Sequence, residues 1–281
     1  MSAAGIVWIA SYPKSGNTWV RAFLANLNAV MSKGLDATAQ DINAMQKIAA
    51  WDIDAKRFER ELEKNIADCS EEDIARARVN VQEKAANMSN GLQLLKTHNM
   101  LSLDHGFPTV NMSVTSGGIY IIRNPFDVAV SFSHHLNRSL DETIKVMSTP
   151  SFRTKTTSTS ISEIYGSWEE NVSSWTHQNN PALLVVKYED MSSDPEKTFS
   201  QIAAHLRQPA NANQIQRAIE LSSFESLNKM EKENGFDEKP EHMPHFFRSG
   251  KIGEGKNLPS EKQQAMIEII NGEQMRRFDY L

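Results

Sequence analysis

The stretch that most constrains the fold is an apolar run that leads through a glycine-containing turn into a helical pattern. Residues 5–11 read Gly-Ile-Val-Trp-Ile-Ala-Ser, a β-branched and aromatic run typical of a buried strand. The run breaks at Tyr12-Pro-Lys-Ser-Gly-Asn17, and Trp19, Phe23 and Leu27 then recur at helical spacing. A strand, a tight turn and a helix in this order form the layout of a phosphate-binding βα unit.

Further apolar segments alternate with helical patterns along the chain. The predicted strands lie at 93–98, 118–123 and 183–188, and the predicted helices lie at 126–136 and from Pro195, capped by Asp194. Apolar strands that alternate with helices indicate a parallel sheet covered on both faces. The sequence contains no internal repeat and no convincing linker. It therefore predicts one α/β domain over residues 1–281, with a central parallel β-sheet flanked by helices.

Three segments do not fit the alternation. Residues 36–90 are charged and helical in pattern, which predicts a surface helical insertion near the substrate entrance. Residues 148–162 are rich in Ser and Thr, and residues 234–259 are rich in Gly and Pro. Both are expected to be mobile loops over the carboxyl ends of the strands, where ligands bind in such sheets, and the second is expected to act as a lid.

The composition excludes several classes of protein. The chain has 30 Lys and Arg against 35 Asp and Glu, a net charge of −5, which argues against a nucleic-acid partner. Cys69 is the only cysteine, so neither an internal disulfide nor a multi-cysteine metal site is possible. The apolar run near the start is far too short to be a transmembrane segment. These features predict a cytoplasmic protein, and they still allow a local basic pocket.

Three separate segments carry the residue types that bind anions. The turn after the first strand has Lys14 and the flexible Gly16, Arg123 ends a strand eight residues before Ser131, and Gly residues alternate with cations from Arg248 to Lys256. Taken singly, each has an ordinary structural explanation: a helix cap, an ion pair or a solvated linker. The first turn is also not a Walker A loop, because no G-x-x-x-x-G-K-[ST] string is present.

Together with three other motifs, these segments resemble the cytosolic-type sulfotransferases. The matches, which run in family order, are Tyr12-Pro-Lys-Ser-Gly-Asn-Thr-Trp19, Lys96-Thr-His98, Tyr120-Ile-Ile-Arg-Asn-Pro-Phe-Asp-Val-Ala-Val-Ser131, Gly166-Ser-Trp168 with Trp175, Lys187-Tyr-Glu-Asp-Met191 and Arg248-Ser-Gly-Lys-Ile-Gly253. The resemblance implies a P-loop-like sulfotransferase fold and the donor 3′-phosphoadenosine-5′-phosphosulfate (PAPS), with 3′-phosphoadenosine-5′-phosphate (PAP) as product and no metal. The implied acceptor is a hydroxyl or amine of a small molecule, a lipid or a glycan.

The resemblance also assigns roles to individual residues of this chain. The donor-binding roles are as follows: Lys14, Ser15, Gly16, Asn17 and Thr18 for the 5′-phosphosulfate; Trp19, Tyr188, Ser222 and Phe224 for the adenine; Arg123, Ser131, Arg248, Ser249 and Gly250 for the 3′-phosphate.

The implied catalytic residues are His98, Lys14, Lys96 and Ser131. Histidine suits the removal of the acceptor proton, and a lysine suits charge that develops on the leaving oxygen. The spacing of His, Asp and Glu suggests no metal site, and His134 and His135 are predicted to be packing or rim residues.

Some features depart from the family pattern. Asn17 stands where Thr is common, and Gly255 stands where many members have Trp, so the packing of that loop is in question. The dimerisation pattern of many relatives is not recognisable after Lys256, so monomer and homodimer both remain open. Two alternatives are also open: a small-molecule kinase of the P-loop type, and a nucleotide-binding protein that has lost catalysis.

Overall fold

The computed structural model describes residues 4–88, 91–257 and 260–281. Residues 89–90, at the end of the predicted insertion, and 258–259, at the end of the predicted lid, lie outside the described residues. The strands are β1 (Gly5–Ser11), β2 (Ala49–Trp51), β3 (Leu92–Thr97), β4 (Leu103–Asp104), β5 (Phe107–Pro108), β6 (Thr115–Ile122) and β7 (Leu183–Lys187).

The helices surround the sheet and provide most of the contacts that cover it. They are α1 (Asn17–Lys33), α2 (Ala55–Leu62), α3 (Glu71–Ala86), α4 (Pro125–Leu136), α5 (Leu140–Met147), α6 (Trp168–Thr176), α7 (Tyr188–Ser193), α8 (Pro195–His205), α9 (Ala212–Leu221), α10 (Phe224–Asn234) and α11 (Glu261–Arg277). Asp194 caps α8 as predicted, since its side chain accepts from the Lys197 amide. Within the described ranges, no helix has both the length and the apolar character needed to cross a bilayer.

The central sheet is parallel and has the order β2-β3-β1-β6-β7. This arrangement confirms the predicted α/β domain with a parallel sheet flanked by helices. All seven residues of β1 are buried, as expected for the middle strand of a sheet that is covered on both faces. The pleat sends Trp8 into one apolar cluster and the next residue, Ile9, into the other.

Segment 36–90 is largely helical, as expected, since it contains α2 and α3, but it is more than a surface insertion. It contributes β2, which pairs with β3 and forms one edge of the central sheet. It also forms a small core of its own, in which Phe58, Ile66 and Ile74 pack together with Ile161. The sequence pattern did not reveal β2, because its three residues, Ala-Ala-Trp, are too few to show a strand periodicity.

Candidate active site

A cavity of about 650 Å³ opens where the parallel strands end. The loops after β1, β3 and β6 carry Lys14, His98 and Arg123, and β7 leads directly into α7, which begins with Tyr188. All four residues line the cavity. Carboxyl ends of neighbouring parallel strands meet at one edge of a sheet, so residues far apart in sequence meet there. Most of the predicted site residues line this cavity: Lys14, Gly16, Asn17, Thr18, Trp19, Lys96, His98, Arg123, Ser131, Tyr188, Phe224, Arg248, Ser249 and Gly250.

Two predicted residues are not among those that line the cavity. Ser15 is fully buried in the turn after β1. Ser222 ends α9, and its hydroxyl donates to the Ala218 carbonyl at 2.7 Å rather than pointing into the cavity. The neighbouring Ser223 lines the cavity instead. The predicted contact of Ser222 with an adenine therefore has no support from this arrangement of side chains.

The turn after β1 holds an unusual backbone shape. Lys14 has φ of 66° and Gly16 has φ of 108°, both in the left-handed region. A Cβ on Gly16 would lie 2.6 Å from Tyr188 Cδ2, so this position requires glycine both for its backbone and for its neighbour. No side chain caps the start of α1, which leaves its first amide groups available to an anion.

The Asn17 side chain holds the turn after β1 against the strand itself. Its Nδ2 donates to the Ile9 carbonyl at 2.8 Å and lies 3.4 Å from the Ser11 hydroxyl. The amide nitrogen is therefore committed to β1, and Asn17 shapes the turn more than it offers a donor to a ligand.

Arg123 joins two of the three predicted anion-binding segments. Its Nη1 donates to the Lys14 carbonyl and its Nη2 to the Lys251 carbonyl, each at 3.2 Å. The guanidinium also lies 4.1 Å from the centre of the Tyr188 ring. Its Nε is buried and has no hydrogen-bond partner among the described residues, so one strong donor is left for a ligand.

The Gly-rich segment near residue 250 closes the same end of the cavity. Gly250 has φ of 63°, and a Cβ there would lie 2.5 Å from Phe224 Cδ2. The Tyr188 hydroxyl donates to the Gly250 carbonyl at 3.3 Å. Arg248 forms an ion pair with Glu254, so its guanidinium must exchange that partner to bind another anion.

Gly255 packs closely on the start of α4. The Asp127 carboxylate accepts from the Gly253 amide at 2.8 Å and from the Gly255 amide at 2.6 Å. A Cβ at Gly255 would lie 2.3 Å from the Phe126 carbonyl carbon. The glycine that replaces the family's tryptophan thus lets the backbone itself fill the space against α4.

Gly255→Ala is expected to destabilise the protein by about 1–3 kcal/mol, because the added methyl overlaps backbone atoms. Urea denaturation of the two proteins measures this difference. Gly91→Ala is the matched control, since no atom of the residues described around it lies within 4 Å of a Cβ there. Equal stability of Gly255→Ala and the parent protein would contradict the close packing of this turn on α4.

The imidazole ring of His98 is held in one orientation by the backbone at the end of β1. Its Nδ1 lies 2.7 Å from the Ser11 carbonyl oxygen, which can only accept, so Nδ1 carries the proton. The other ring nitrogen, Nε2, therefore keeps its lone pair. Burial, and next the nearby Lys96, lower the pKa of His98 well below its ordinary value. His98 is thus a neutral imidazole that can accept a proton at Nε2.

Lys14 is a cation of the cavity whose pKa lies well below that of an ordinary lysine. Burial lowers its pKa to about 7, with further lowering by Arg123 and Lys96. Its ammonium lies 3.9 Å from the centre of the Phe246 ring. An incoming anion would reverse this shift, because opposite charge favours the protonated amine.

Several residues of the site were not predicted from the sequence. Glu163 accepts from the His98 amide at 3.0 Å and from the Tyr165 hydroxyl at 3.2 Å. Glu238, from the segment predicted to be a lid, also lines the cavity. His135, predicted to be a packing or rim residue, lines it too, and burial followed by Lys14 lowers its pKa to about 3. No local motif marks these residues, since their partners are distant in sequence.

Comparison with known proteins finds similarity to sulfotransferases along nearly the whole chain. A flavonol 3-sulfotransferase of Flaveria bidentis is 29% identical over 283 residues, which cover 94% of this chain and 79% of that protein. Sulfotransferase 1E1 of Mus musculus is 26% identical over 261 residues, covering 89% of this chain and 76% of that protein.

Solved structures share the fold at lower identity. Retinol dehydratase in complex with androsterone and the inactive cofactor PAP has a TM-score of 0.63 at 19% identity and covers 98% of this chain and 82% of its own. A mouse sulfotransferase complexed with PAP has a TM-score of 0.61 at 19% identity and covers 99% and 85%. The sulfotransferase domain model matches residues 5–279, and the chain therefore belongs to the sulfotransferase family.

Proposed function

We propose that this sulfotransferase transfers the sulfuryl group of PAPS directly to a hydroxyl or amine of a small apolar molecule, with His98 as the base and Lys14 at the leaving oxygen. The observation that carries the proposal is that one cavity contains both residues together with the Arg123 and Arg248 guanidiniums. A donor with a phosphosulfate at one end and a 3′-phosphate at the other fits cations at two separated places. The two similar structures described above were both determined with PAP.

The residues of the cavity fit such a nucleotide. Trp19 and Phe224 offer two aromatic faces to a base, and glycines at 16 and 250 bring the backbone close to where phosphate groups would lie. The unpaired Arg123 Nε and the uncapped start of α1 provide donors for anionic oxygens. Ser131 and Ser249 add hydroxyls at the proposed 3′-phosphate end.

Bound PAPS supplies an activated sulfuryl group, and the protein's task is to align the reactants and stabilise charge. The His98 Nε2 accepts the proton of the attacking group, and its Nδ1–H stays bound to the Ser11 carbonyl. Lys14 stabilises negative charge on the oxygen that leaves. In this proposal Lys96 adds positive charge beside His98. The proposed transfer uses no metal.

The proposed acceptor half of the cavity has walls with apolar and aromatic side chains among polar ones, which include Thr154, Lys155, Ser160 and Glu163. Ile53, Phe132, Ile161, Tyr165 and Phe246 line it, next to His98. Such walls favour a compact, flat molecule with one reactive hydroxyl over a long glycan or a lipid chain. The names of similar proteins mention a flavonol and luciferin, which are small molecules of this kind.

A transfer assay tests the proposal. The protein is incubated with ³⁵S-labelled PAPS and a panel of phenols, apolar alcohols, amines, sugars and fatty alcohols. We expect label on phenols or small apolar alcohols, and we expect PAP to raise the melting temperature. If no acceptor is labelled although PAP binds, the protein is a nucleotide binder without catalysis. Phosphorylation of the same panel with Mg²⁺ and ATP would instead support the kinase alternative.

We also propose a cytoplasmic location, and the choice between monomer and homodimer is open. A cytoplasmic location is consistent with a chain whose only cysteine, Cys69, is unpaired. Sedimentation of the purified protein decides between monomer and homodimer.

A further inference from the structure

One carboxylate fixes the first part of the segment that runs along the cavity between α10 and the turn at 254–257. We call residues 235–253 of this segment the strap. Glu238 of the strap accepts from Arg21 Nη1 at 2.7 Å and from Nη2 at 2.6 Å, a two-bond pairing. It also accepts from Trp51 Nε1 at 3.2 Å and lies 3.8 Å from Lys96 Nζ. Its side chain is only 8% exposed.

These partners belong to the body of the domain and not to the strap. Arg21 lies on α1, Trp51 ends β2 and Lys96 lies on β3. On the strap side, Glu238 accepts from both guanidinium nitrogens and from the indole. Asn43 adds neutral bonds to the same part of the strap, since its Nδ2 donates to the Gly235 carbonyl at 3.4 Å and its Oδ1 accepts from the Asp237 amide at 2.8 Å. The contact therefore joins the strap to three elements at once.

Arg21 gives this contact its strength. The Arg21 side chain is completely buried, and its Nε has no hydrogen-bond partner among the described residues. A buried guanidinium needs either a counter-ion or water, and here the counter-ion comes from the strap. Burial alone would raise the pKa of Glu238, but Lys96 and Arg21 outweigh it and lower that pKa to about 2. The carboxylate is thus ionised at neutral pH.

We propose that Glu238 is a positioning residue that latches the strap onto Arg21 and Lys96, so that one carboxylate controls both the closing of the strap and the placement of Lys96. When the strap lifts, water replaces Glu238 at Arg21, and Lys96 loses one of its acidic neighbours, while Glu163 and Asp52 remain. The latch therefore couples the position of the strap to the charge beside the catalytic base.

The rest of the strap connects the latch with the donor half of the cavity. Phe246 lies over the Lys14 ammonium, and Arg248, Ser249 and Gly250 line the proposed nucleotide site. Glu231 of α10 accepts from the Phe246 amide at 2.6 Å and from the Phe247 amide at 3.0 Å. A second anchor thus holds the far part of the strap, while Glu238 holds the near part. Because the two parts are continuous in the chain, we expect a lifted near part to loosen the far part that lines the proposed nucleotide site.

Glu238→Gln tests the latch, because it removes the charge and keeps the shape. Hydrogen exchange of the strap amides is measured without ligand, so this arm does not depend on the proposed function. We expect the amides of residues 236–243 to exchange at least tenfold faster. Glu241→Gln is the matched control: it removes the same charge from an exposed position of the same strap and should leave exchange unchanged.

A second arm, which rests on the proposed function, measures how fast labelled PAP dissociates from the protein after excess unlabelled PAPS is added. We expect release from Glu238→Gln to be about tenfold faster and release from Glu241→Gln to match the parent. Unchanged exchange in Glu238→Gln would overturn the latch, and so would loss of its cooperative unfolding transition, which would make Glu238 a residue of the core. If PAP fails to bind even the parent protein, the proposed function fails and the exchange arm still decides on the latch.

Discussion

His98→Ala is expected to lower kcat by about 10²–10⁴-fold while PAP binds as tightly as to the parent protein. Removal of a positioned general base typically costs a factor of this size. Donor affinity should be retained because the His98 ring is held by the Ser11 carbonyl and faces Tyr165. The proposed nucleotide-binding residues lie at other strand ends.

The measurement combines steady-state kinetics with calorimetric titration of PAP. His177→Ala is the control, since His177 is exposed at the end of α6 and should behave like the parent. The role of His98 as base would be contradicted if kcat fell less than tenfold, or if PAP affinity fell in parallel with kcat.

Lys14→Ala is expected to lower both donor affinity and kcat. Loss of a charged hydrogen-bond donor weakens binding by about 1.5–3 kcal/mol, and loss of charge stabilisation at a leaving oxygen costs about 10²–10³-fold in kcat. This double effect separates Lys14 from His98, whose removal should change kcat alone. Lys262→Ala is the control, because Lys262 is an exposed residue of α11.

The lowered pKa of Lys14 predicts that the binding of PAP is coupled to the uptake of protons. With a pKa of about 7, the free amine is mostly neutral at pH 8 and mostly charged at pH 6. An anionic ligand raises that pKa, so Lys14 should take up about 0.9 proton when PAP binds at pH 8 and almost none at pH 6. At pH 6 the partly protonated phosphates of PAP also lose protons on entering the cationic site, so the net uptake there is lower still. Titrations in buffers of different ionisation enthalpy measure this uptake.

Lys14→Arg keeps the positive charge at this position but removes a group that gains or loses a proton between pH 6 and pH 8. Arginine stays protonated throughout this range, so the variant should bind PAP without the proton uptake at pH 8. The cause of the linkage would be a different group if Lys14→Arg still took up a proton. The same conclusion would follow if the parent protein took up equal numbers of protons at the two pH values.

The sequence was sufficient to predict the central sheet because its long strands are continuous apolar runs. β1, β3, β6 and β7 were all predicted close to their observed positions. β2 was missed because three residues carry no periodicity, and α11 was missed because its buried residues are few and interrupted by polar ones. Such elements are set by what they pack against rather than by their own pattern.

The candidate site was predictable wherever a residue follows a strand directly. Lys14, His98, Arg123 and Tyr188 meet for that reason. Contacts between distant segments were not predictable: Arg21 and Glu238 are 217 positions apart, and nothing in their local sequence marks them as a pair. Ser222 is a third case. The resemblance assigned it to the adenine, but no feature of the sequence showed that its hydroxyl bonds to the Ala218 carbonyl.

The central claim is that His98 takes a proton during a direct transfer and never carries the sulfuryl group itself. The most direct measurement mixes excess protein with ³⁵S-labelled PAPS without an acceptor, denatures the sample and counts label on the protein. We predict no label above that of His98→Ala, and transfer in one turnover once an acceptor is added. One equivalent of label on the parent protein, absent from His98→Ala, would contradict the account and make His98 a nucleophile.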